Sequence, residues 1–221
     1  MSCKQKEKIL SSKLDLEVLR PFIAYAKGEE HLDFCDENFT KNIVNYALVN
    51  GSDAIREQLV LSSIGADSVD GKHGWDGKLK KRMVEVKCET VANATNRVSG
   101  KGTFNNLTWK SFQKYKAGGI YLNAGFDKEG RVLYIIAFDI RDIFDDMERH
   151  LLEHIGETDR VRTNTMYHVT PSNMPVDFEV VYLPKIIDTT KYVRPFLKQL
   201  TRNYFENVRV GRRPLVTQEW R

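Results

Sequence analysis

The six residues Val84-Glu85-Val86-Lys87-Cys88-Glu89 place an acid and a lysine two positions apart inside an otherwise apolar run. The stretch reads as a β-strand. Successive side chains on a strand leave by opposite faces, so Val84, Val86 and Cys88 share one face while Glu85 and Lys87 share the other. The first face is apolar enough to bury, which commits this part of the chain to a sheet. The second carries a carboxylate and an ammonium side by side, and a further acid, Asp76, lies shortly upstream.

The chain has 221 residues, enough for one large domain or a core with an appendage. At 41% hydrophobic and 29% charged residues it has an ordinary globular composition, which excludes the disordered class. No apolar run approaches the roughly 20 residues of a membrane span, and the N-terminus leads into no long apolar region, so neither a transmembrane nor a secretory segment is expected. Cys3, Cys35 and Cys88 are odd in number and widely spaced, with no C-x-x-C pair. That argues against a disulfide framework or a zinc site and predicts a reducing, cytoplasmic setting. Cys88 is expected to pack as a small apolar residue.

The formal net charge of +4 is unevenly spread. Residues 72–116 hold 11 Lys/Arg against 3 Asp/Glu, a local +8, and residues 191–221 hold 8 against 2, a local +6. The rest of the chain is acidic. Two basic segments on an acidic chain suggest an anionic polymer as partner, although solvated, scattered charges would give the same count.

There is no internal repeat, low-complexity tract or Pro/Gly/Ser-rich linker. Residues 1–51 read as a helical N-terminal segment, with apolar residues from Leu14 to Tyr25 and from Phe39 to Leu48, and Asn50-Gly51 ending the second helix. Ser52 is a candidate N-cap for a helix over 53–63 that Gly65 stops. A short strand over 66–69, a glycine-rich turn over 70–74, a strand or bend over 75–79 and the central strand over 82–90 follow. Residues 91–106 read as a loop and 107–115 as a helix. Two apolar segments, 119–126 and 132–138, flank a hairpin signal at Asp127-Lys128-Glu129-Gly130. A helix over 140–155, a strand over 178–183, a helix over 192–208 and a basic tail complete the order. The expected fold class is α/β with mixed α+β character: a central mixed β-sheet flanked by helices. It divides into a helical segment (1–51), a core (52–155) and a C-terminal strand, helix and basic tail (156–221), continuous with one another.

The run Gly74-Trp75-Asp76-Gly77, seven further residues, and Glu85-Val86-Lys87 resembles the PD-(D/E)xK nuclease motif, in which an acid near the end of one strand meets an acid and a lysine on the next. The helix Ile55-Arg56-Glu57-Gln58-Leu59-Val60 resembles the one that often carries an additional glutamate in that superfamily. The resemblance covers residues 52–138, and Trp75 stands where the motif's proline is usual. It implies a restriction-endonuclease-like core, Asp76, Glu85, Lys87 and Glu57 as catalytic residues, and Asp76, Glu85 and the Val86 carbonyl as ligands of Mg²⁺, with Mn²⁺ as a substitute. Asp70 and Asp67 compete with Asp76 for the first acid.

The chemistry follows from the substrate. A phosphodiester is an anion that repels hydroxide; a divalent cation between two carboxylates neutralises that charge and acidifies water. Oxygen ligands suit Mg²⁺. Lys87 can orient the attacking water or stabilise charge on the phosphorane. One-metal and two-metal schemes both fit these residues.

Lys72, His73, Arg97, Lys101, Lys110, Gln113 and Lys114 are candidates for DNA contact, chiefly to phosphates. Asn93, Asn96, Asn105 and Asn106 are of the type that pairs with adenine, though loops are rich in asparagine in any case. The expectation is an Mg²⁺-dependent endonuclease of the restriction type acting on double-stranded DNA as a homodimer, with no membrane partner. A junction- or end-processing nuclease and a non-catalytic nucleic-acid-binding module remain alternatives.

Overall fold

Helix α1 (Ser52–Ser63) starts at Ser52 itself, one residue earlier than the capping argument predicts. It buries Leu59, Val60 and Leu61, and Ile64 behind them. Gly65 ends it with φ of +69°, a left-handed conformation open to glycine at little cost, while Ala66 N donates to Leu61 O at 2.9 Å. The structure is a computed structural model that describes residues 52–69, 74–90, 99–126, 132–157, 164–183 and 195–210. The expected N-terminal helices, the turn at 70–73, the basic loop at 91–98, the hairpin tip at 127–131 and the tail at 211–221 lie outside the described residues.

After α1 come β1 (Asp67–Ser68), β2 (Gly77–Leu79), β3 (Arg82–Thr90), β4 (Gly102–Leu107), α2 (Trp109–Tyr115), β5 (Ile120–Phe126) and β6 (Val132–Asp139). A 3₁₀ turn (Ile140–Ile143) precedes α3 (Phe144–His154), and β7 (Thr165–Val169), β8 (Glu179–Tyr182) and α4 (Pro195–Val210) follow. A six-stranded sheet runs β1-β2-β3-β5-β6-β8, and β4 and β7 form a separate two-stranded ribbon. Among the described residues only the β3–β5 pair is parallel, with Val84 opposite Ile120; the other described pairs are antiparallel. The class is mixed α/β, as the sequence predicts.

Burial follows the two-residue period. Val84 and Val86 point to the α1 side, where Val60, Leu61 and Ile64 meet Leu122, Ala124 and Ala137. At about 1.5–3 kcal/mol for each fully buried aliphatic side chain, this layer holds α1 to the sheet. Cys88 packs at its margin as a free thiol. The opposite face carries Tyr121, Tyr134, Ile136 and Phe138, covered by Phe112 of α2, Met147 of α3 and Phe196 of α4. β5 and β6 are apolar on nearly every residue because helices cover both faces of the sheet.

Two expectations need correction. The predicted loop over 91–106 is in part a strand, since Gly102–Leu107 pairs with β7, which the sequence reading leaves out. The helix expected over 140–155 begins as a 3₁₀ turn, where the Asp139 side chain accepts from Arg141 N at 3.1 Å. The last described helix covers Pro195–Val210, and residues 192–194, where the sequence places its start, lie outside the described residues. No described helix is long and apolar enough to cross a membrane.

Candidate active site

Antiparallel pairing puts Gly77 opposite Val84, which brings the residue before Gly77 alongside the residue after Val84. Asp76 and Glu85 thus become neighbours although eight residues separate them. Two bonds hold the corner: Asp76 N donates to Val84 O at 3.0 Å, and Val86 N donates to Asp76 Oδ2 at 2.7 Å.

Glu85 and Lys87 leave β3 on the face away from α1. The Lys87 ammonium donates to Glu85 Oε1 at 2.5 Å and to the Val86 carbonyl at 3.0 Å, and it lies 3.8 Å from Asp76 Oδ2. One cation therefore sits among three oxygens, two from carboxylates and one from the main chain. The side chains of Glu85, Lys87 and Asp76 are 4%, 16% and 22% exposed, so water screens these charges weakly. Glu85 Oε2 is buried with no hydrogen-bond partner. The Tyr115 hydroxyl approaches the same carboxylate from α2.

These groups open onto a cleft of about 420 Å³. Asp53 and Glu57 of α1 line one side, and Thr103 to Leu107 of β4 with Ser111, Lys114 and Tyr115 of α2 line the other. Thr108 starts α2 with a capping box, its side chain accepting from Ser111 N while Ser111 Oγ accepts from Thr108 N. Tyr115 is wedged edge-on against Trp75 and Phe104, with ring centroids 5.0 and 5.6 Å away. Phe104 also lies under Lys87, its ring centroid 5.0 Å from Nζ. Gly102 admits the close approach of the Tyr121 hydroxyl and of Lys87 Cβ, which a side chain there would obstruct.

Burial dominates the titration of the site. It raises Glu57 to about 7, helped by repulsion from Asp76 and opposed by Lys87. It raises Glu85 to about 7 against the pull of Lys87, and it raises Asp76 against both Lys87 and the Val86 N–H. Burial alone would lower Lys87, but attraction to Glu85 and Asp76 outweighs it and holds the ammonium above its ordinary value. Lys87 is consequently a fixed positive charge at neutral pH, and Glu57 and Glu85 beside it titrate near neutrality.

The structure gathers Asp76, Glu85, Lys87, Glu57 and the Val86 carbonyl in one place. Lys114 lines the same cleft. Lys110 and Gln113 are exposed on α2 and do not line it; Lys101 is half-buried with its N–H donating to Glu89 Oε2 at 3.3 Å, and it does not line the cleft either. Lys72, His73 and Arg97 lie outside the described residues, as does Asp70. Asp67 is exposed on β1, away from the cleft lining. Asp53 and Ser111 also line the cleft, although no local pattern in the sequence marks them. Glu89, which the sequence reading leaves aside, continues the period of Glu85 and Lys87 and accepts from Ser99 Oγ, from Gly100 N at 2.8 Å and from the Tyr134 hydroxyl at 2.5 Å.

Among the described residues, no three His, Cys, Asp or Glu side chains form a metal-binding group. The available donor set is two carboxylates and a carbonyl. All are hard oxygen ligands, and one of them, Glu85 Oε2, is buried and unpartnered. This set suits a cation such as Mg²⁺ that keeps several of its waters. No protein-family model matches the chain, and no curated protein matches it in sequence.

Proposed function

We propose that this chain is a metal-dependent endonuclease of the PD-(D/E)xK type, hydrolysing phosphodiester bonds in duplex DNA and cutting as a two-fold dimer. The observation that carries this reading is the convergence of Asp76, Glu85 and the Val86 carbonyl on a single cation, the Lys87 ammonium, with a second Glu85 oxygen left unpartnered beside it. Asp76, Glu85 and the Val86 carbonyl would hold Mg²⁺. Bound there, the metal supplies charge neutralisation at the phosphate and acidifies water.

The chain's own residues contribute the rest. Lys87, permanently charged, stabilises the extra negative charge of the phosphorane and is unsuited to act as a base. Glu57, poised near neutrality on the opposite wall, is placed to take a proton from attacking water. Lys114 offers a positive charge to the flanking phosphate backbone.

The test is incubation of the purified chain with a long unmodified duplex and Mg²⁺. Cleavage is expected, and Asp76→Ala, Glu85→Ala and Lys87→Ala are each expected to abolish it while DNA binding persists. Full cleavage by Glu85→Ala would refute the proposal. Absence of cleavage on any DNA, with binding indifferent to Mg²⁺, would favour a binding module.

A further inference from the structure

One wall of the cleft departs from regular strand geometry in a way the proposed chemistry does not use. On β4, Phe104 faces Tyr167 of β7 and Leu107 faces Thr165. Three steps on one strand match two on the other, so Asn105 and Asn106 together oppose Met166 alone. This is a β-bulge, and its effect is directional. Regular alternation from the buried Phe104 would point Asn105 outward and turn Asn106 in. With the bulge, both asparagines are exposed and Leu107 takes the inward position.

Both asparagines line the cleft that holds Asp76 and Glu85. Their amides are in different states. Asn106 Oδ1 accepts from Asn164 Nδ2 at 2.7 Å, which fixes its orientation. Asn105 makes no side-chain hydrogen bond with a described residue, so both the donor and the acceptor end of its amide are available. Met166, across the bulge, is 53% exposed.

A two-stranded ribbon fits the major groove of B-form DNA, where an asparagine amide pairs bidentately with adenine N6 and N7 and an apolar side chain meets the thymine methyl. The deep, narrow major groove of A-form RNA does not admit such a reader. From this geometry we propose that the β4–β7 ribbon reads DNA sequence. Asn105 contacts an adenine, Asn106 is held in place beside it by Asn164, and Met166 packs on the thymine methyl. This assigns base recognition to the site proposed above to cut DNA; it rests on that reading for the cut, but the base contact is measurable without cleavage.

The experiment has two arms. In the first, the full chain selects binders from a randomised duplex library in Ca²⁺, alongside Asn105→Ala and Lys114→Ala. Wild type is expected to enrich adenine at one fixed position. Asn105→Ala is expected to lose about 5- to 150-fold of that preference, the range for one bidentate base contact. Lys114→Ala is expected to weaken all sequences alike, as a phosphate contact does. Asn105 is exposed, so an unchanged melting temperature verifies that the variant folds. The same adenine enriched by Asn105→Ala, no base enriched by wild type, or duplex RNA competing as well as duplex DNA would each overturn the inference. In the second arm the selected duplex is incubated with Mg²⁺. An uncut duplex with its adenine preference intact would refute the nuclease proposal and leave the base contact standing.

Discussion

Removing the Lys87 charge tests the electrostatics of the site independently of any reaction. In Lys87→Met the length of the side chain is largely kept and the ammonium over Phe104 is lost. Glu85 and Asp76 would then be two carboxylates, 4% and 22% exposed, with no cation between them. A unit pair at 4 Å is worth about 4 kcal/mol at an effective dielectric near 20, and taking one partner from a buried pair costs about 3–5 kcal/mol in practice. We predict a loss of about 3–5 kcal/mol at pH 8 without divalent metal, a fall in melting temperature of roughly 6–20 °C for a domain of this size. The sign with pH follows from Glu85, whose carboxyl burial already raises from 4.5 to about 7 and which loses its only lowering charge in the variant. A group raised on folding contributes its stability in full below its unfolded value and loses it as pH rises through the folded value. The defect should therefore shrink as pH falls from 8 through the Glu85 value towards 4.5, since burial raises both carboxyls and favours their neutral forms, and Mg²⁺ should restore much of it at pH 8. Calorimetry from pH 4.5 to 8.5, with EDTA and with Mg²⁺, measures all three. An equal loss at both ends of the range would refute the account of the ammonium as the site's resident counter-charge.

Three further outcomes are expected. Glu57→Gln removes a carboxyl held near 7, so it should stabilise the metal-free protein at pH 8 by up to about 3 kcal/mol and leave it unchanged at pH 4.5; equal melting shifts at the two pH values would contradict this. Gly102→Ala should cost about 2 kcal/mol and displace Lys87, because the new methyl meets the Tyr121 hydroxyl and Lys87 Cβ; the denaturation midpoint and the proposed cleavage would fall together, and a fully active, stable variant would contradict it. Glu89→Gln loses charge-assisted bonds from Ser99, Gly100 and Tyr134 and should cost about 3 kcal/mol in urea unfolding, with Tyr134→Phe losing only about 1–2 kcal/mol; equal losses would show that the charge on Glu89 contributes nothing.

The strand carrying Glu85 and Lys87 was legible because its information is local. Alternation in Val84 to Cys88 fixes which side chains share a face, and the short β2–β3 connection makes the pairing of Asp76 with Glu85 follow from sequence spacing. Glu57 was legible as a helical residue, but its place over the cleft depends on how α1 sits on Val84 and Val86, which periodicity does not encode. β4 was illegible for two physical reasons. Gly100, Gly102 and two asparagines give this stretch the composition of a loop, and the described strand it pairs with, β7, lies some sixty residues on, so no local pattern announces the pairing. The bulge then breaks the alternation by which a strand is recognised. Gln113 and Lys114 show the limit of reading a helix without its neighbours: they are adjacent in sequence, and only Lys114 lines the cleft.

The parallel register of β3 and β5 has a consequence for how such a chain can change. Parallel neighbours cannot be joined by a tight turn, so a long excursion between them is obligatory. Here that excursion, residues 91–119, contains β4 and α2, the wall that would meet substrate. Its two ends are anchored in the sheet, and lengthening a flexible connection between fixed points costs only about 0.6 kcal/mol per doubling. The insert also packs Phe112 on Phe144 and bonds Trp109 Nε1 to the Gly156 carbonyl at 2.8 Å, so remodelling it requires matched changes at α3 and its C-terminal end as well as in β7. Exchanging β4, α2 and β7 together, with the α3 contacts they meet, would change this wall of the cleft while leaving β3 and its Glu85–Lys87 pair unaltered.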